Sequence, residues 1–197
     1  MIKILGDKRK EIVTTTRGYF DVTVQSGLVY ATRQGRPHTV DVYDSSTWER
    51  LREIPTPCCS AEDYSLHTLQ VTDDRILLCC SKEEKLRVLS HLGELLHTHG
   101  HPKRKAFVDS IGKIVPLFPV YGPGVLWRPR LCQVDLEGSA LVADWANCRL
   151  QVMRSDGTWS VVSLDQTAVY PQAAIWFDAS LYVACSGKIT RFSTPSL

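Results

Sequence analysis

Apolar and polar positions alternate in short runs along most of this chain, and polar turns separate the runs. In "ALVADWANCRLQVMRSDG" (140–157) a short apolar run meets a polar turn, and an alternating run follows. Period-2 alternation predicts strands with one face turned inward. The Asp156-Gly157 pair after it is a strong hairpin signal. Three more stretches repeat this order of run, turn and run: "FDVTVQSGLVYATRQGRPHTVDVYDSSTWERLREI", "LHTLQVTDDRILLCCSKEEKLRVLSHLGELLHTHG" and "PQAAIWFDASLYVACSGKITRFS".

Aligned on the third strand of each unit, Val40, Leu86, Leu150 and Ile189 correspond. A period near 40 residues with about four strands per unit predicts a β-propeller. The expected architecture is a single all-β domain with blade-like units at about 18–57, 64–100, 129–165 and 170–197. The stretch at about 101–126 is rich in Pro and Gly and fits no blade, so it reads as an insertion. The fourth unit stops after its third strand, whereas "IKIL" and "EIVTTT" near the N-terminus look like strands. One of these is expected to complete the last blade, which would remove an exposed sheet edge. A truncated or open ring is the alternative.

Composition narrows the function classes. The hydrophobic share of 44% suits an ordinary globular core. A net charge of +2 makes no case for nucleic acid by itself. The N-terminus shows no long apolar segment, and no run approaches the roughly 18 apolar residues of a membrane span. The seven cysteines form no CxxC pair. A reduced, intracellular, cytoplasmic protein is expected, with no membrane partner.

The turn in 140–157 holds Asp144, Asn147 and Arg149. A carboxylate and a guanidinium flanking a strand-to-strand turn can pair, and an Asn between them can satisfy turn backbone. Their neighbours Trp145, Ala146 and Cys148 supply no second acid or base, so the set reads as a structural staple rather than a catalytic constellation.

This stretch resembles the NHL repeat, whose core reads roughly V-x-D-x-x-N-x-R-h-Q-V-F-x-x-D-G. The matching residues are Val142, Asp144, Asn147, Arg149, Leu150, Gln151, Val152, Met153, Asp156 and Gly157, with Met153 where the family usually has an aromatic. The other three units match only in apolar pattern. Cys80, Thr32 and Cys185 stand at or near the Asp position, and Lys85, Thr39 and Lys188 near the Arg position. The chain is similar to the C-terminal propellers of invertebrate tripartite-motif proteins. That resemblance implies an NHL propeller, usually of six blades, acting as a non-enzymatic platform for a protein or RNA partner. It also implies a substrate-recognition part within a ubiquitin-ligase-like protein. The RING and B-box that carry ligase activity in such proteins match nothing in this chain.

Other chemistry has weaker support. His97, His99 and His101 alternate in "HTHGH", but Gly100 and Pro102 interrupt a strand there, so surface loop histidines are expected. Cys58, Cys59 and His67 match no established zinc spacing. No GxSxG, HExxH, Walker or GxGxxG stretch occurs. Some six-bladed propellers are metal-dependent hydrolases or lyases, which makes that class the alternative function. It would need carboxylates and amides converging from the innermost strands, which here offer Gln25, Gln70, Gln133, Asp21 and Asp135 without a clear metal set. No cofactor or metal is expected.

In a propeller blade the strands a to d run outward, so b–c and d–a loops share one end and a–b and c–d loops the other. Arg33 and Arg36, Lys82 and Lys85, Lys103, Arg104 and Lys105, and Arg128 and Arg130 all map to the first end. Asp44, Asp73, Asp74, Glu137, Asp156 and Asp178 map mainly to the second. The basic residues are therefore the candidate binding face, with Trp127, Trp145 and Tyr121 at its edge.

Overall fold

The computed structural model describes residues 18–33, 38–56, 67–100, 122–162, 164, 170–185 and 187–193, and the backbone of four two-residue strands. Two of these, β1 (Ile2–Lys3) and β2 (Glu11–Ile12), pair with each other. Blade 1 is β3 (Tyr19–Gln25), β4 (Leu28–Arg33), β5 (Thr39–Asp44) and β6 (Arg50–Pro55). Blade 2 is β7 (His67–Val71), β8 (Ile76–Cys80), β9 (Lys85–Leu89) and β10 (Leu95–His99). The pair β11 (Phe107–Val108) and β12 (Ile114–Val115) follows. Blade 3 is β13 (Pro129–Val134), β14 (Ala140–Asp144), β15 (Arg149–Met153) and β16 (Trp159–Val162). Blade 4 has three strands, β17 (Pro171–Phe177), β18 (Ser180–Cys185) and β19 (Lys188–Ser193).

Each blade is an antiparallel meander, and the first strands β3, β7, β13 and β17 pack against one another in succession. That places the a strands innermost, as the repeat pattern requires. Val40, Leu86, Leu150 and Ile189 do occupy equivalent third strands. Burial follows this geometry. The second strands β8 (ILLCC) and β14 (ALVAD) are buried at every residue because both of their faces meet protein. The outermost strands β6 and β10 are mostly exposed.

Three apolar clusters join the blades in sequence. Tyr30, Val40, Val42 and Ile54 of blade 1 meet Leu69, Ile76, Leu78 and Leu89 of blade 2. Leu77, Leu86 and Val88 on the other face of blade 2 meet Leu131, Val142 and Met153 of blade 3, with Leu126 from the preceding connection. Leu141, Ala143 and Leu150 then meet Ala174, Leu181 and Val183 of blade 4. Because side chains alternate, a one-residue slip in any strand would exchange these two faces.

The ring is open. The face of blade 4 turned away from blade 3 exposes Ile175 (49%), Phe177 (67%) and Ile189 (75%). Among the described residues the expected closure by an N-terminal strand is not found: β1 pairs with β2, and the blade 4 sheet has three described strands. Two strand pieces near in sequence pair at a small cost in loop closure, which a strand reaching across to a distant blade does not share. The 101–126 stretch contributes the β11–β12 pair, and its last residues pack into blade 3.

Candidate functional site

The sharpest sequence motif forms a buried polar node. Asp144 ends β14 and is fully buried. One carboxylate oxygen accepts the Trp127 backbone N–H at 2.6 Å. The other accepts Asn147 Nδ2 (2.8 Å), Arg149 Nε (2.8 Å) and Gln151 Nε2 (2.9 Å). Arg149 also donates to the carbonyls of Gly122 and Val125, and Gln151 Oε1 accepts the Gly124 N–H at 2.8 Å. Every contact of Asp144 thus serves to hold the b–c turn against the chain entering blade 3. With four donors, the carboxylate is satisfied entirely from within the fold.

A second buried node was not foreseen. Asp41 lies mid-strand in β5 and is 1% exposed. It accepts Tyr19 Oη at 2.9 Å and Arg50 Nη2 at 2.6 Å, with Arg33 Nη1 at 3.8 Å. Glu53 pairs with Arg33 at 2.8 Å and with Arg50, and the Tyr19 and Tyr43 hydroxyls share a 2.7 Å hydrogen bond. The phenol of Tyr19 is held well above its ordinary range by burial, with Tyr43 and Asp41 adding to the effect. The signal for this node was the alternation in "TVDVYD", which puts Thr39, Asp41 and Tyr43 on one side of a buried strand.

The inner strands carry a repeated device. Asp21 Oδ2 of blade 1 accepts the Leu69 N–H of blade 2 at 2.7 Å. Thr68 Oγ1 of blade 2 accepts the Leu131 N–H of blade 3 at 2.6 Å. Gln133 Oε1 of blade 3 accepts the Trp176 N–H of blade 4 at 2.7 Å. Burial raises the Asp21 carboxyl above its ordinary range, against the pull of the Leu69 and Val22 N–H groups. Gln25 donates to Asp73, and Asp135 accepts the N–H groups of Glu137 and Ser139. Among the described residues no group of three His, Cys, Asp or Glu is placed to hold a metal ion.

The basic face resolves unevenly. Arg36, Lys103, Arg104, Lys105 and Tyr121 lie outside the described residues. Arg33 is taken up by Glu53 and Asp41. Lys82 is exposed and Lys85 half-buried in the blade 2 b–c turn, beside the Arg87–Glu83 ion pair. Arg130 is half-buried on the inner strand β13. Arg128 is exposed, and its guanidinium lies 5.6 Å from the Trp145 ring centroid. Trp145 in turn lies 5.1 Å from Tyr170, which is 45% exposed. Arg128, Cys148 and Tyr170 around this ring all adopt left-handed backbone, with φ of 52°, 53° and 55°. Non-glycine residues there carry strain, roughly 1–3 kcal/mol each, and persist only where surrounding structure fixes them. Tyr170 entered no motif, because its role depends on the fold bringing the blade 3–4 connection beside the "WANC" turn.

At the opposite end the acids form turns. The Ser46 hydroxyl first, then the N–H groups of Thr47 and Ser46, hydrogen-bond Asp44 and lower its carboxyl to about 2. Asp156 accepts from Thr158, and Asp73 from Gln25 and Ser26. His97 and His99 lie in β10 rather than in a loop. The strand runs to Gly100, whose α-carbon approaches the Glu84 carbonyl so closely that a Cβ would stand 2.3 Å from it. His99 packs edge-on to Trp159 at 5.8 Å, and burial first, then His97, lowers its basicity. Cys132 and Cys148 are free thiols, and Cys80 Sγ accepts a hydrogen bond from Arg87 Nη1 at 3.0 Å. No helix among the described residues is long and apolar enough to cross a membrane.

No protein-family model matches the chain, and no curated protein is similar to it in sequence. Solved structures are similar in fold. Virginiamycin B lyase from Staphylococcus aureus, a catalytically inactive variant with quinupristin, superposes with a TM-score of 0.55 at 14% identity, over 94% of this chain and 58% of its own. The nidogen/laminin complex gives 0.59 at 14% identity, over 90% and 61%. The WD40 β-propeller domain of Doa1 gives 0.55 at 12% identity, over 88% and 49%. The chain is a β-propeller and spans about half to three-fifths of the length of these structures. At these identities the likeness concerns the fold alone.

Proposed function

We propose that this chain is a non-enzymatic binding platform that engages a protein through the b–c and d–a loop end of blades 3 and 4. The observation that carries the reading is the Arg128–Trp145–Tyr170 cluster, in which half-buried Trp145 lies between exposed Arg128 and Tyr170, both on left-handed backbone. Tyr, Trp and Arg are the side chains most enriched where interfaces concentrate their binding energy. The Asp144 node fixes the turn that presents Trp145, so a dense hydrogen-bond network lies under the proposed contact. The NHL resemblance implies the same kind of role, with the bound protein presented to ubiquitin-transfer modules.

The lyase alternative draws on fold likeness alone. It needs polar side chains free on the inner strands, where Asp21, Thr68 and Gln133 are engaged with the next blade. An RNA partner would need the basic residues as a continuous surface, and Arg33 is withdrawn into ion pairs.

The test compares proteins retained by the immobilised chain, by a Trp145→Ala/Tyr170→Ala variant and by a Thr158→Ala variant at the opposite end. Retention lost only in the first variant is the expected result. Retention indifferent to both variants overturns the reading. Retention that ribonuclease abolishes, with a steep salt dependence, moves it to RNA.

A further inference from the structure

The two open ends of the ring differ from the interior blade faces in matching ways. In blades 1 to 3, the face turned toward the next blade carries aliphatic residues on its third strand: Val40 and Val42, Leu86 and Val88, Leu150 and Val152. In blade 4 the equivalent positions are Ile189, 75% exposed, and Arg191. Arg191 donates to Ser180 Oγ at 3.0 Å and lies 5.9 Å from the Tyr182 ring, on the same face as Ile175. The face of blade 1 turned away from blade 2 places a carboxylate, Asp41, where blades 2 and 3 place Arg87 and Gln151. It carries Tyr43 where they place Leu89 and Met153, and the Asp41–Glu53 cluster beside it. On its inner strand Val22 (47%) and Val24 (63%) are exposed.

The backbone accounting matches too. Asp21 and Thr68 each reach an N–H on the next blade's inner strand, and Ala173 stands at the equivalent register in blade 4, with no polar arm to offer. The N–H at the receiving position in blade 1 belongs to Val22, and it already donates to Asp21 Oδ1 at 2.9 Å. Blade 4 has no arm and blade 1 requires none. Joining these two faces therefore requires no inter-blade arm at this register, covers the exposed aliphatics, and sets the Arg191 guanidinium against a surface bearing carboxylate and hydroxyl acceptors.

We propose that a second copy of this chain occupies the opening, head to tail, with blade 4 of each copy packed on blade 1 of the other. Two copies bring eight blades, within the 4–8 range of closed propellers. The heterologous contact closes as a two-fold ring rather than running on as a filament.

Sedimentation and light scattering on the 197-residue chain test this directly. The expected mass is twice 22.1 kDa. Ile189→Glu on one face and Val24→Glu on the other should each yield the single-chain mass with an unchanged β-sheet circular dichroism spectrum. Both residues are exposed, so neither change opens a core. Arg191→Glu should weaken the dimer by about tenfold or more in Kd. A chain that stays monomeric at tens of micromolar overturns the proposal, because the opening then belongs to some other occupant. So does a dimer that Ile189→Glu disrupts and Val24→Glu leaves intact, since that pattern joins two like ends.

Discussion

Blades 1 and 3 each bury a carboxylate, and they hold it by different means. Asp144 takes its donors from residues 147, 149 and 151 and from the chain entering the blade. Asp41 and its partners come from all four strands of blade 1: Tyr19, Arg33, Tyr43, and the Arg50–Glu53 pair. The first node is a local tether between a turn and a connection. The second is a tie laid across a whole sheet, on the face that no earlier blade covers. A buried charge needs compensation in both places. Where a neighbouring segment is at hand, a compact motif supplies it; at the open end, the blade must supply it from its own width.

The largest expected effect breaks the local node. Asp144→Ala leaves Arg149 without its carboxylate and the Trp127 N–H without an acceptor, and should cost about 3–5 kcal/mol in urea unfolding. Asp41→Ala should cost less, about 1–3 kcal/mol, because Arg33 and Arg50 keep Glu53 as a partner. Equal losses in the two variants would erase the distinction drawn between tether and tie. Within blade 3, Asn147→Ala removes a single bond to Asp144 and an amide oxygen that is buried without a partner, so about 0.5–1.5 kcal/mol is expected. Smallest is a pH effect remote from both nodes. His99 binds a proton less readily in the fold than in the unfolded chain, because burial disfavours its charged form. Its contribution is present above its unfolded value near 6.5 and is lost as pH falls below that. Melting temperatures of the parent chain and of His99→Phe, followed from pH 8 to pH 5, should diverge at the acid end, with the variant falling less.

Locality explains what the sequence made legible. Strand alternation and a 40-residue period are short-range patterns, and the all-β propeller that they predict is the fold found. The Asp144 set stood out because Asp144, Asn147, Arg149 and Gln151 lie within one turn and the strand after it. The Asp41 node spans residues 19 to 53, and no motif announces a set assembled by strand register. The Arg33 ion pair was hidden for the same reason: residue type and loop position do not disclose that Glu53 sits opposite. The Tyr170–Trp145 contact joins residues 25 apart through a connection whose path only the fold defines. Ring closure was misjudged because strand character does not specify a partner, and the N-terminal pieces find one nearby.

The inter-blade arms also have a direction in time. In each case the earlier blade supplies the acceptor and the later blade the amide: Asp21 for Leu69, Thr68 for Leu131, Gln133 for Trp176. During synthesis, where N-terminal parts generally fold first, every emerging inner strand meets a surface whose acceptor is already in place. The assembly order of these four blades is thus written into the hydrogen bonds between them, each blade holding its acceptor ready before the next inner strand arrives.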